Sequence, residues 1–81
     1  MKIRVHVTPR RGVLDPQGMA VAGGLGNLGF AGIKEVRVGK VIDLTLAEAM
    51  DPDQALALGR DMAKKLLANE TVEDFEVEVV S

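Results

Sequence analysis

Apolar and polar residues alternate strictly from Lys2 to Thr8. Ile3, Val5 and Val7 fall on one side; Lys2, Arg4, His6 and Thr8 fall on the other. A period of two predicts a half-buried strand, and Pro9-Arg10-Arg11-Gly12 ends it. The same period returns over Val72–Val80, where Phe75, Val77 and Val79 oppose Asp74, Glu76 and Glu78. The polar face of the first strand is basic and that of the last is acidic, so the two would pair charges if they lay side by side in a sheet. Over Lys34–Ala47 the apolar residues Val36, Val38, Ile42, Leu44 and Leu46 all occupy even positions. The parity survives Gly39-Lys40, so no hairpin turn is needed there, and one long strand bent near Gly39 fits. Such a strand exceeds the usual length of about five or six residues, and an overlong strand in a small domain can pair with a second chain.

Two segments change to a helical period. Asp15-Pro16 is a helix start: the carboxylate can accept from free amides of the first turn, and proline has no amide to leave unsatisfied. Val21, Leu25 and Leu28 follow at helical spacing, and Gly29 is a C-terminal stop. Gly23, Gly24 and Gly26 lie inside, each costing roughly 1 kcal/mol against alanine, so this helix is weak alone and must be held by packing. Asp51-Pro52-Asp53-Gln54 repeats the start signal. Ala55, Leu58, Met62 and Leu66 form its apolar stripe, with Leu56, Ala63 and Leu67 beside it; Asn69 is placed to cap its end.

The order strand, helix, long strand, helix, strand predicts one α+β domain over residues 1–81. The expected architecture is a two-layer, ferredoxin-like sandwich: a mainly antiparallel sheet, two helices on one face, and the second strand long and bent near Gly39.

Composition narrows the function. The chain has 81 residues, with ten basic against twelve acidic side chains and a formal charge of −2. That balance, with Phe30 and Phe75 as the only aromatics, argues against a nucleic-acid binder. One histidine and no cysteine leave no good zinc shell, and no disulfide framework argues for secretion. No apolar run approaches membrane-spanning length, and the amino-terminal residues lack a leader's apolar stretch. A cytoplasmic protein is the expectation. A domain this small is marginal by itself, and association is a common remedy.

No catalytic, cofactor or metal site is expected. Gly24-Leu25-Gly26-Asn27-Leu28-Gly29 spells the dinucleotide fingerprint, but that motif needs a strand running directly into the glycines and a helix opening there; here the glycines close a helix. His6 reads as a surface side chain on a strand. Arg37, Gly39 and Lys40 are more suggestive. Lys40 breaks the apolar parity, either laying its stem along the core edge or meeting an anion or partner at the bend. Arg10-Arg11 is a solvated turn or a contact for an acidic partner. Capping accounts for Asp15, whereas Gln17, beside Gly18, is an exposed contact candidate. Lys64-Lys65 is most simply a solvated helix end.

Val13-Leu14-Asp15-Pro16-Gln17-Gly18, Leu28-Gly29-Phe30, Val36-Arg37-Val38-Gly39-Lys40 and Lys65-Leu66-Leu67-Ala68-Asn69 occur in this order. In that order and spacing the chain resembles the PurS family, small subunits of phosphoribosylformylglycinamidine synthase. The glycine-rich stretch Gly23–Gly26 departs from relatives, which tend to carry better helix formers there. The resemblance implies a non-catalytic subunit in de novo purine synthesis. It would join an ATP-dependent synthetase subunit, PurL, to a glutaminase subunit, PurQ, and aid ammonia transfer between them. It further implies a homodimer or homotetramer. Asp15, Gln17, Gly18, Arg37, Gly39 and Lys40 are then the expected partner contacts. Two other classes compete: a ligand-binding regulatory module, since ferredoxin-like dimers often bind amino acids between subunits, and a small stand-alone enzyme. Saturable binding of amino acids or nucleotides by the isolated chain would favour the first; turnover by the purified chain would favour the second.

Overall fold

The computed structural model describes residues 1–80. The elements are β1 (Lys2–Pro9), α1 (Pro16–Asn27), β2 (Lys40–Thr45), α2 (Pro52–Met62) and β3 (Glu73–Val80), with α2 continuing into a π-turn over Ala63–Leu67. The strands form one antiparallel sheet in the order β2-β1-β3. This is the expected α+β class with β1 at the centre.

The period-two pattern gives β1 its two faces. Ile3, Val5 and Val7 are fully or almost fully buried beneath α2, with Ala55, Ala63 and Ala68 completing the core. The helix comes close because its contact residues are small. At Gly59 an added Cβ would lie 2.6 Å from Val77 Cγ1 and 2.9 Å from Ile3 Cγ2. On the other face the charges pair as the sequence suggests. Arg4 lies opposite Glu78 on β3 and Asp43 on β2. Arg4 Nε donates to Asp43 Oδ1 at 2.8 Å and Nη2 to Oδ2 at 3.4 Å. His6 pairs in register with Glu76, yet its Nε2 meets the diagonal neighbour Glu78 Oε1 at 3.1 Å. Arg10 Nε donates to Asp74 Oδ1 at 3.1 Å, just beyond the strand.

Both helices start where the aspartates place them. Asp51 Oδ2 accepts from the amides of Asp53 and Gln54 at 3.1 and 3.4 Å. At the end of α1, Gly29 takes φ +91°. Its amide donates to Gly26 O at 3.0 Å and the Phe30 amide to Leu25 O at 3.0 Å. This pair of bonds is the Schellman arrangement, which satisfies carbonyls the helix leaves free.

Three expectations are corrected. Strand pairing within the chain covers Lys40–Thr45, not Lys34–Ala47. Residues 34–39 keep the alternation, with Val36 and Val38 half-buried, but form no ladder with this chain's sheet. The reason is that β1 ends at Pro9, and Val7, opposite Lys40, is the last β1 residue with a β2 partner. Second, the sheet face is packed by α2 alone; α1 has no comparable contact with it. With four glycines among twelve residues α1 offers little apolar surface, so tethering at its first turn fixes its place. The chain is accordingly elongated, 48 × 26 × 16 Å, with a radius of gyration of 15.9 Å, against about 12 Å for a compact chain of this length. Third, Leu66 does not join the buried stripe but is 84% exposed. The π-turn, closed by the Ala68 amide on Ala63 O at 2.9 Å, rotates it away from the sheet. Asn69 stands just past this end. Its Oδ1 accepts from the Thr71 amide at 3.2 Å, and its carbonyl accepts from the Val72 and Glu73 amides.

Candidate functional site

The segments singled out in the sequence meet at the first turn of α1. Asp15, outside helical geometry at φ −120° and ψ 89°, holds two segments with one carboxylate. Oδ1 accepts from the Gly18 amide at 3.0 Å, which caps α1. Oδ2 accepts from the Val38 amide at 2.8 Å, twenty-three residues along the chain. Those two amides hold the Asp15 carboxyl below the usual carboxylate range. Capping thus explains half of what Asp15 does; the other half is a tertiary tie.

Gly18 is buried in the angle between the tied segments, where an added Cβ would strike the Val36 carbonyl and lie 2.6 Å from Asp15 Oδ2. Gly39 fills an equivalent place beside β1. A Cβ there would lie 2.5 Å from Val7 O and 3.1 Å from Thr8 Cγ2. Arg37 completes the junction: its Nη1 donates to Pro9 O at 2.9 Å, and its Nε lies 3.8 Å from Glu35 Oε1. Asp15, Gly18, Arg37 and Gly39 are therefore brought together, three of them by close backbone contacts. Gln17 and Lys40 flank the junction and are exposed. Lys40 makes no ion pair among the described residues.

The sequence reading missed a cleft of about 790 Å³ beside this junction. His6, Thr8, Arg10, Arg37, Phe75 and Glu76 are among its lining residues. It mixes both signs, and Arg10 and Arg37 each spend a donor on the protein itself. The signal available in the sequence was the opposite charge of the two strand faces, which places these side chains at one end of the sheet. The fingerprint glycines, by contrast, end α1 with open space around each of Gly24, Gly26 and Gly29.

Leu14, Met19, Val21, Leu28, Phe30, Ile33 and Val41 are 43–75% exposed. They make up seven of the eight large exposed hydrophobics, leaving Leu66 apart. Among the described residues no helix is long and apolar enough to cross a membrane.

Comparison with known proteins identifies the architecture. The chain is 47% identical over 73 residues to the phosphoribosylformylglycinamidine synthase subunit PurS of Mycobacterium leprae, covering 90% of this chain and 87% of that one. The crystal structure of Methanocaldococcus jannaschii PurS superposes with a TM-score of 0.83 at 35% identity, covering 99% of this chain and 95% of its own. A chain in the PurLQS structure of Thermotoga maritima superposes with a TM-score of 0.81 at 32% identity, covering 96% and 95%. The model of the PurS family, phosphoribosylformylglycinamidine (FGAM) synthase, matches residues 2–81. The chain belongs to the PurS family of phosphoribosylformylglycinamidine synthase.

Proposed function

We propose that this chain is the small, non-catalytic subunit of a phosphoribosylformylglycinamidine synthase in purine biosynthesis, bridging a synthetase subunit, PurL, and a glutaminase subunit, PurQ. The observation that carries this reading is the match to a chain of a PurLQS assembly over almost the full length of both. The benefit of a bridge is chemical. Ammonia released into bulk water protonates and ceases to be a nucleophile, so an assembly that shields its transfer preserves the reaction. A cytoplasmic setting goes with this reading and with the cysteine-free chain.

The partner contacts are proposed at the α1 junction. Gln17, Arg37 and Lys40 present the side chains, while Asp15, Gly18 and Gly39 hold the two segments in register. Self-association into a homodimer or homotetramer is part of the proposal. What supports it is the apolar surface between Leu14 and Val41, which α1 and residues 31–39 leave uncovered.

The test is reconstitution with purified PurL and PurQ. Glutamine-driven amidine formation is expected to fall at least about tenfold without this chain, a loss of 1.4 kcal/mol or more in coupling, while the ammonia-driven rate survives. Equal glutamine-driven rates would overturn the bridging role. The mixed-charge cleft beside His6 and Arg37 supports a second reading, a ligand-binding regulatory module. Calorimetry of the isolated chain with amino acids and nucleotides tests it, and saturable binding would favour it.

A further inference from the structure

A helix about 10 Å across covers roughly two strands spaced about 4.8 Å apart. In this sheet α2 takes β3 and β1, and no helix makes comparable contact with β2. Yet β2 carries apolar side chains on the covered face. Ile42 and Leu44 stand opposite the buried Val5 and Ile3, pack against the core from its edge and are half-buried. They leave a seat for a second helix beside α2.

The other helix of the chain has no seat of its own. Four of the twelve residues of α1 are glycine, and a helix of that length is marginal without tertiary support. Met19 and Val21 are 63% and 43% exposed. The Asp15 tie holds only the first turn. An eight-residue strand spans about 27 Å, in a molecule 48 Å long; α1 and the return to β2 take up the remainder, off their own sheet. We infer that α1 is exchanged between copies: α1 of one protomer lies beside α2 of another, over Ile42 and Leu44, and is ordered only when seated there. The inference rests on the self-association proposed above.

A second copy is the occupant that the composition of α1 fits. Residues 16–33 carry no charge, in a chain that is 27% charged. Copies therefore meet along α1 without repulsion, and the helix offers no ion pair to a charged companion. At Gly23, Gly24 and Gly26 nothing lies within 4 Å of where a Cβ would stand, so another surface can approach the backbone closely. A reciprocal exchange closes about a twofold axis, each copy supplying the helix the other lacks. The layer of two helices on one sheet face then belongs to the pair of chains rather than to one.

The chain has no cysteine, so single cysteines report position cleanly. V21C and I42C, distinguished by a mass tag, are mixed, equilibrated and treated with a short bismaleimide, with sedimentation of each measured in parallel. Hydrogen exchange of the α1 amides is followed in the wild type from high to low protein concentration. A product joining V21C of one chain to I42C of another is expected to predominate. Protection of α1 is expected to fall at least about tenfold on dilution to the monomer, while the β1 amides stay protected. This second arm uses the wild type alone, so it decides the matter if a cysteine variant misfolds. An oligomer that gives no mixed product overturns the exchange and leaves self-association standing. Protection of α1 that does not depend on concentration also overturns it. Protection gained only when PurL or PurQ is added overturns it too, assigning the seat to a companion. A wild type that sediments as a monomer at every concentration overturns the self-association itself.

Discussion

Gly18 sits where a side chain has no room, between the Val36 carbonyl and the Asp15 carboxylate that ties α1 to Val38. Backbone cannot yield as a flexible side chain can. Gly18→Ala is therefore expected to lower stability by about 1–3 kcal/mol, the usual cost of overpacking, read as a shift in the urea midpoint. Asp15 makes a prediction about pH. Its carboxyl is held below the ordinary range by the Gly18 amide first and the Val38 amide second. A group whose folded pKa is depressed contributes stability above its unfolded pKa and loses it as pH falls through the folded value. Asp43, depressed mainly by its hydrogen bond from Arg4, acts in the same direction. Stability should thus decline as the medium is acidified below about pH 4. In Asp15→Asn the decline should be shallower and the neutral-pH stability lower. An unchanged acid limb in urea titrations from neutral pH downward would show that the tie has no energetic weight. Asp15 was legible as a cap because that job is local; its bond to Val38 was not, since nothing in the spacing of residues 15 and 38 encodes it.

The helices divide by what supports them. α2 has its partners in its own chain: small residues at 55, 59 and 63 meet the β1 side chains. α1 has capping at both ends and glycine in between, with nothing within 4 Å of where a Cβ would stand at Gly23, Gly24 or Gly26. Gly24→Ala should then stabilise the isolated chain by roughly 0.5–1 kcal/mol through helix propensity and a less flexible unfolded state. If α1 meets another copy closely across these glycines, the same change should weaken self-association. Thermal unfolding at low and high protein concentration separates the two effects. Alternation identified β1 and β3 and both their faces, because a period of two reports burial directly. It failed on residues 34–39, where the pattern holds but no strand of this chain pairs with them.

At the scale of the molecule, the dimensions and the exposed residues accord with the proposed self-association. A radius of gyration of 15.9 Å and seven exposed large hydrophobics between Leu14 and Val41 fit a protomer completed by others. The chain is expected to sediment as a species larger than its 8.6 kDa protomer. Leu28→Asp, at a position 75% exposed in the protomer, should shift it toward the monomer without a large loss of helix content. Wild-type-like sedimentation of that variant would place the contact elsewhere.

Hydrophobic periodicity and capping chemistry determined the strands, the helix starts, the α+β class and the basic and acidic strand faces. The ordered motifs determined the family. All are local properties, written in residues a few positions apart. Only the tertiary structure decided that β1 is the centre of the sheet, that α1 is moored through Asp15 rather than packed on the sheet, and that Leu66 is turned outward. Those outcomes depend on which distant backbone groups find each other. An apolar face reads the same in sequence whether its own chain, another copy or a different protein covers it.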